Sequence, residues 1–334
     1  MSSNALPNPI SVAKVIEQSS NEQAKNNHPL GWFAFLDADH NKPSKESLEA
    51  LPNKVVASRI LPFAFMHTGC LLVLLCGFSW PALVLCIALY FIRMFSMCGF
   101  YHRYFSHRTF KTYRWVQFIF AVWGLTAIQK GPLWWAAKHR HHHRYSDMPN
   151  DIHSAKQEGF FWSHIGWIMT PKHLHTYYDE IPDFAKFPEL VFLNRFDWIV
   201  PLLFGVALYG FGFLLQAWLP NSGITPFQTF VWGWFVSTVI LYHGTFTINS
   251  LSHVFGNRRF ETTDTSKNNW FLAIVTLGEG WHNNHHHYCG SVRQGFYWWE
   301  YDITYYVLKV FQMLGLIYDL NPVPQKVYEQ AKQH

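Results

Sequence analysis

Four apolar stretches, each close to the length that crosses a lipid bilayer, restrict the folds open to this chain more than any other feature. A membrane-spanning helix needs ~20 predominantly apolar residues, and the stretches cover residues 60–78, 80–98, 199–219 and 227–248. They form two pairs, each pair has a short connection, and only 14% of the 334 residues are charged. We therefore predict an all-α integral membrane protein with four transmembrane helices.

The positive charges lie on one side of this predicted bundle. Of the 26 Lys and Arg residues, 6 precede Ile60, 12 lie between Phe100 and Phe196, and 7 follow His253, whereas the connections within the two pairs carry none. Because cytoplasmic loops hold most Lys and Arg, we predict that both termini and the middle loop are cytoplasmic and lie next to membrane lipids. No basic patch is interleaved with base-stacking aromatic residues outside the histidine-rich region, so we expect no nucleic-acid partner.

The remainder of the chain indicates a single domain. Residues 1–27 are polar and rich in Ser, Asn and Gln, and we predict that they form a mobile segment. Residues 28–334 contain no internal repeat or low-complexity linker. A further apolar run, residues 115–129, is short for a crossing and is predicted to lie at the membrane surface.

Nine histidines occur in four groups whose spacing indicates metal binding. On an α-helix, residues i, i+3 and i+4 share one face, so HRHHH and HNNHH each project three imidazoles in one direction. Imidazole binds Fe, Zn, Cu and Ni, so the ligands alone leave the metal open. The candidate ligands are His102 and His107 (HRYFSH), His139, His142 and His143 (HRHHH), His253 (NSLSH), and His282, His285 and His286 (HNNHH).

Carboxylates near these groups are candidates to orient the imidazoles, because metal-bound histidines commonly donate their second N–H to a carboxylate. The candidates are Asp147, Asp151, Asp264 and Glu279. The histidines begin four residues after the second stretch and five residues after the fourth. We therefore expect a cytoplasmic helical cap that holds a two-metal centre where it meets the spans.

The motifs HRYFSH, HRHHH, NSLSH and GEGWHNNHH resemble those of membrane fatty acid desaturases, closest to the stearoyl-CoA desaturase branch and its bacterial relatives. The resemblance implies two iron ions bound by the nine histidines, with Asn249 holding a water that completes one shell. It implies that O2 is reduced and that two hydrogens are removed from a long acyl chain, commonly leaving a cis delta-9 double bond. It also implies a bacterial inner-membrane location.

Two features of the sequence bear on the partners of such an enzyme. Many acyl-CoA desaturases carry Asp where this chain has Lys138, so a coenzyme A thioester, an acyl-lipid and an acyl carrier protein all remain open as the acyl carrier. No fused cytochrome b5 domain is recognisable. We expect a separate electron donor, such as a ferredoxin or a cytochrome b5-like protein with its reductase.

The face of the second stretch that leads to His102 is predicted to line a substrate tunnel. Its candidates are Cys86, Tyr90 and Met94. Tyr90 is twelve residues before His102, which places it ~18 Å deeper at ~1.5 Å per residue. The resemblance agrees, and we expect Tyr90, with Cys86, to limit chain length.

Other functions remain open on the residues alone. A hydroxylase or an alkene-forming oxidative decarboxylase could use the same scaffold. A zinc-dependent hydrolase would need fewer ligands and an open position for water. A histidine-rich metal transporter is a further alternative, but it would be expected to carry polar ligands along the middle of its spans.

Overall fold

The computed structural model describes residues 31–40 and 42–331, which are mostly helical. One antiparallel pair of two-residue strands, β1 (Lys111–Thr112) and β2 (Ile317–Tyr318), joins distant parts of the chain. The segment 1–27, predicted to be mobile, lies outside the described residues, and the assignment of residues 28–334 to one domain stays a prediction.

Seven helices carry the apolar stretches and the histidines. They are α1 (Ala57–Cys76), α2 (Trp80–Ser106), α3 (Arg114–Leu125), α4 (Pro132–Tyr145), α5 (Ile199–Trp218), α6 (226–254) and α7 (His282–His287). Three of them change pitch along their length: α1 tightens to a 3-10 turn at Cys70–Leu72, and α2 and α6 widen to π-helix at Ser96–Ser106 and Val231–Val236.

The remaining helices are short and connect or cover these seven. They are Gly31–Leu36, Lys45–Glu49, Ala155–Glu158, Phe160–His164, Gly166–Met169, Pro171–His173, Tyr178–Glu180, Pro182–Ala185, Pro188–Arg195, Trp270–Val275, Ile303–Met313 and Gln325–Gln330.

Three of the described helices, α1, α2 and α5, are long and apolar enough to cross a membrane. Only 6% of the most apolar window of α1 is buried, against 50% of that of α2. Side chains such as Leu74 (83% exposed) and Leu75 (79%) therefore lie on the outside, which suits contact with lipid and not with water. Helix α2 lies at the centre, where it packs against α3, α4 and α6.

The fourth predicted stretch, residues 227–248, is helical, but its helix is not among the three that are long and apolar enough to cross a membrane. Its helix, α6, buries polar side chains such as Ser237, Thr238 and Ser250 against the protein. A helix enclosed by protein on these faces needs less apolar surface than one that faces lipid. Four membrane crossings stay a prediction.

Local capping explains where the second member of each pair begins. Ser79 precedes α2, and its hydroxyl accepts a hydrogen bond from the backbone N–H of Ala82. Thr225 caps α6 in the same way through Gln228. In both helices proline occupies the first turn, where its missing N–H costs nothing.

Two helices continue beyond the predicted membrane stretches. Helix α2 runs to Ser106, past residue 98, and α6 runs to Val254, past residue 248. His102 and His253 are therefore part of the helices themselves. The extensions carry polar side chains that are buried in protein, such as Arg103, Ser106 and Ser252, and hydropathy, which measures affinity for lipid, does not detect such segments.

A buried guanidinium connects α2 to its neighbours. Arg93 is 1% exposed and donates hydrogen bonds to the Thr238 hydroxyl at 2.7 Å, the Ser237 hydroxyl at 2.5 Å and the Thr126 carbonyl at 3.1 Å. Charged groups within a membrane normally face protein partners. Arg93 thus fixes α2 against α6 beneath the histidines.

We predict that Gly212→Val destabilises the protein far more than Gly210→Val does. A Cβ atom at Gly212 would lie 2.4 Å from the backbone Cα of Pro226, so α5 and α6 would have to separate, whereas a Cβ at Gly210 meets nothing within 4 Å. Overpacking typically costs about 1–3 kcal/mol. Thermal unfolding in detergent measures the difference, and equal melting temperatures for the two variants would contradict the close approach.

Candidate metal centre

Five histidines from three parts of the chain bring their ring nitrogens together. The nitrogens of this five-histidine group lie within 4.8 Å of one another, and its members are His102, His107, His139, His143 and His285. The closest pairs are Nε2 to Nε2: 2.8 Å between His107 and His139, and 3.0 Å from His285 to both His102 and His143.

The other four predicted ligands form a second group beside the first. This four-histidine group contains His142, His253, His282 and His286, and its nitrogens also lie within 4.8 Å of one another. The Nε2 atoms of His142 and His286 are buried without a hydrogen-bond partner among the described residues. The rings of His143 and His286, one from each group, stack with centroids 4.4 Å apart.

Each helical trio is divided between the two groups. His139 and His143 belong to the five-histidine group and His142 to the other, while His282 and His286 separate in the same way from His285. The i, i+3, i+4 spacing does place each trio on one face, but neighbouring positions of that face serve different sites. Two helices thereby define both sites and keep them adjacent.

The pitch of α2 explains the five-residue spacing of His102 and His107. The backbone N–H of His107 donates to the His102 carbonyl at 3.2 Å, the i to i+5 bond of a π-helix. This wider turn brings the two rings to 4.9 Å between centroids. In an ordinary α-helix, residues five apart point in different directions, so the π segment is what gathers this pair.

The arrangement fits metal ions in both spacing and protonation. With a metal–nitrogen bond of ~2.1 Å, two ligands at right angles lie ~3.0 Å apart, which matches the observed Nε2 separations. Burial lowers the pKa of five imidazoles well below its usual value, so they are neutral at pH 7, the form that binds a metal. These five are His107, His139, His143, His282 and His285.

Carboxylates contact the Nδ1 atoms that face away from the groups. Glu279 lies 2.5 Å from His102, Asp151 lies 2.8 Å from His142, and Asp264 lies 2.7 Å from His286. The fourth candidate, Asp147, lies 3.6 Å from Nδ1 of His253 and accepts a hydrogen bond from the Thr265 hydroxyl beside that ring. An Nδ1–H that donates to a carboxylate leaves the Nε2 lone pair for a metal.

Glu279 is itself held by buried charges that the sequence reasoning missed. Arg103 is 1% exposed and forms ion pairs with Glu279 at 3.0 Å and with Asp302 at 2.9 Å. Burial raises the pKa of Glu279, but His102 and Arg103 outweigh it and lower the value to about 2. Glu279 is therefore ionised and available to accept from His102. Arg103 directly follows His102, a candidate ligand, and this position in the sequence could have identified it.

His153 is a second residue that the sequence reasoning missed. It joins His142 and Asp151 in a smaller group of potential ligands, and its ring centroid lies 4.1 Å from that of His142. The signal was its position two residues after Asp151. His141 and His287 lie outside both groups and have other contacts: His141 binds the Asn150 carbonyl and His287 binds Gln330.

An apolar cavity of about 430 Å³ reaches the five-histidine group at His139. Its walls come mainly from α1, α4 and α6 and include Phe63, Met66, Tyr242 and Phe246. We call it the aromatic cavity. Asn249 also lines it, whereas the proposed role of Asn249 in holding a water stays a prediction.

The predicted tunnel residues are not part of the wall of the aromatic cavity. The Tyr90 hydroxyl donates to the Val275 carbonyl at 2.7 Å, and both Tyr90 and Met94 pack against Gly244, where a Cβ would lie 2.6 Å and 2.9 Å from them. Cys86 is also buried on α2. A role for these three residues in chain-length selection stays a prediction that this cavity does not support.

These features define the class of protein: a largely helical chain with membrane-like apolar helices and two adjacent histidine groups able to bind metal. Comparison with known proteins identifies the family. Residues 78–319 match the fatty acid desaturase family, and the chain belongs to it. It is therefore an oxidoreductase, and the resemblance drawn from its motifs is confirmed.

Relatives of the chain carry several desaturase names. It is 38% identical over 245 residues to an sn-2 palmitoyl-lipid 9-desaturase of Nostoc sp. (strain 36), covering 72% of this chain and 81% of that protein. It is 38% identical over 257 residues to an acyl-CoA C20 delta5-desaturase of Anemone leveillei, covering 76% and 78%. It is 33% identical over 306 residues to delta-9 acyl-lipid desaturase 1 of Arabidopsis thaliana, covering 91% and 94%.

We predict that Asp151→Asn weakens metal binding by about 10- to 100-fold, the usual effect of losing a carboxylate that orients a ligand histidine. Asp151 accepts from Nδ1 of His142, and an amide in its place would hold the ring less firmly. Titration of metal-free protein with Fe2+ against a competing chelator measures the affinity. Asp319→Asn, which alters an exposed pair with Lys111, is the control, and equal affinities would refute the orienting role.

Proposed function

We propose that the chain is an O2-dependent di-iron fatty acyl desaturase that introduces a cis double bond at the delta-9 position of a long saturated acyl chain. The observation that carries this proposal is the aromatic cavity, because an acyl chain within it would pass beside His139 of the five-histidine group. Two adjacent methylenes lose two hydrogens, and with two electrons and two protons O2 becomes two waters.

Iron suits the donor set, because imidazole is a good ligand for it. The two irons would be held by the nine histidines and would supply the oxidising power that unactivated C–H bonds require. The chain's own contribution is positional: Glu279, Asp151 and Asp264 hold three of the imidazoles by their Nδ1 atoms. Neutral, buried rings then offer Nε2 without first releasing a proton.

The wall of the aromatic cavity would position the substrate and exclude water. Phe63 and Tyr242 stack with ring centroids 6.3 Å apart, and Tyr242 and Phe246 stack at 5.8 Å. Such rings offer an acyl chain apolar contact and no competing hydrogen bond. A fixed chain presents the same methylenes to the metal centre at each turnover.

The relatives favour desaturation over the other reactions of this scaffold. All three described above are named as desaturases, whereas a hydroxylase or an oxidative decarboxylase would differ only in its product. Membership of an oxidoreductase family also argues against the zinc hydrolase and the metal transporter.

The partners follow from the same proposal. The substrate is a long-chain acyl group, carried as a coenzyme A thioester or on a lipid, since relatives of both kinds exist. Two electrons per turnover would come from a separate donor, a ferredoxin or a cytochrome b5-like protein with its reductase. A basic face could attract an acidic donor.

We expect new monounsaturated acyl chains in a bacterial host that expresses this protein, with the double bond at carbon 9 when its position is mapped by mass spectrometry. Purified protein should hold about two irons, one for each histidine group. His142→Ala and His285→Ala should lower the iron content and abolish the product, because each removes a ligand from one group.

His287→Ala is the matched control, since His287 lies on the same helix but binds Gln330. It should retain both iron and product. A hydroxylated product, a terminal alkene or full activity with zinc alone would refute the proposal.

We also propose that both termini and the histidine groups face the cytoplasm of a bacterial inner membrane, with the short connections outside. Reporter tags at Met1, at His334 and within residues 179–186 should be inaccessible from the periplasm, and a tag within residues 220–226 should be accessible, because basic segments stay inside. Labelling of intact cells tests this topology. Residues 179–186 on the periplasmic side would contradict it.

A further inference from the structure

One part of the aromatic cavity is lined by buried polar groups that lack partners. The side-chain atoms without a hydrogen bond among the described residues are Nζ of Lys138, Nδ1 of His153, Nε1 of Trp167 and both ring nitrogens of His173. Leaving a buried polar group unpaired destabilises a protein, and buried groups are almost always paired. Four such residues in the wall of one cavity indicate a ligand.

These four side chains are neighbours. Lys138 follows Trp134 by one turn of α4, and the Trp134 ring stacks on Trp167 at 5.7 Å between centroids. The Trp167 ring lies 5.1 Å from His153 and 6.4 Å from His173. We call Lys138, His153, Trp167 and His173 the donor cluster.

The chemistry of the donor cluster favours a group rich in oxygen acceptors. An ammonium carries three donors, an indole N–H can only donate, and each imidazole offers at least one N–H. Phosphate and carboxylate oxygens accept several such bonds at once, whereas an alkyl chain accepts none.

The charge of the cavity favours an anion. Among the described residues, Arg59, Lys130 and Lys138 line it and no carboxylate does. Lys130 is paired with Asp197 at 2.7 Å. Lys138 is 1% exposed, and its Nζ lies 3.4 Å from the centroid of the Tyr177 ring. The Tyr177 ring attracts a cation but gives it no oxygen acceptor.

We propose that the donor cluster binds an anionic oxygen group at the head of the substrate, either a phosphate of the acyl carrier or the carboxylate of a free fatty acid, and that Lys138 determines this preference. The acyl chain then extends from the donor cluster past His139 between Phe63, Met66 and Phe246. This inference rests on the proposed function for the acyl nature of the ligand.

Equilibrium binding to the purified full chain tests the inference without O2 or an electron donor. The probes are palmitate and hexadecyl phosphate, with hexadecanol as the neutral control of equal chain length. We expect wild-type protein to bind at least one anion about tenfold or more tightly than hexadecanol, the gain typical of a hydrogen bond to a charged group. A preference for palmitate alone identifies a carboxylate, and a preference for hexadecyl phosphate alone identifies a phosphate.

Lys138→Met should reduce that preference to less than about twofold while the affinity for hexadecanol stays the same, because the variant keeps the length of the side chain and loses only its donors. Trp167→Phe, which keeps an aromatic ring but lacks the N–H, should give a smaller loss in the same direction. Lys186→Met, an exposed lysine next to Phe187, should change nothing. Iron content and circular dichroism report whether each variant is folded.

An unchanged preference in folded Lys138→Met protein would assign Lys138 to its contact with Tyr177 and overturn the proposal, as would wild-type protein that binds hexadecanol as tightly as both anions. Failure of the proposed function is distinguishable. If the protein makes no unsaturated product but keeps a Lys138-dependent preference for an anion, only the desaturase proposal is refuted. If the protein makes the product without that preference, only the donor-cluster proposal is refuted.

Discussion

The close approach of nine imidazoles is the constraint on which the rest of the structure depends. Ring nitrogens at 2.8–3.1 Å from one another have few favourable arrangements unless each ring is neutral and fixed. Burial keeps five of the rings neutral. Three other rings, those of His102, His142 and His286, are held at Nδ1 by Glu279, Asp151 and Asp264. Helices α2, α4, α6 and α7 must therefore all deliver their histidines to one small volume.

This requirement explains the features of the fold that ordinary membrane helices would not need. Helix α2 changes to π pitch where it carries His102, and both α2 and α6 continue past their apolar parts to bring histidines into the protein. Arg93 holds these two helices together below the site. The aromatic cavity lies between α1, α4 and α6, whereas Tyr90 of α2 contacts Gly244 of α6 and the Val275 carbonyl.

The site could be predicted from the sequence to an unusual degree, because a metal centre concentrates one residue type at helical spacing. All nine histidines and all four carboxylates named from their positions lie where the two groups form. The division of each trio between two groups could not be predicted, since i, i+3 and i+4 share a face whichever partners meet it. Arg103 and His153 were not predicted, because a single residue does not form a periodic pattern in the sequence.

The sequence by itself determined the helical membrane-like character, the four groups of histidines and the family, because apolar run length and residue spacing are local properties. Only the tertiary structure decided which surfaces meet. Tyr90 and Met94 pack on Gly244 and lie outside the aromatic cavity, whereas Lys138, adjacent to a candidate ligand in sequence, lines it with His173 and Trp167. The reason is physical: what a side chain lines depends on the element packed opposite it, and that element comes from a distant part of the chain.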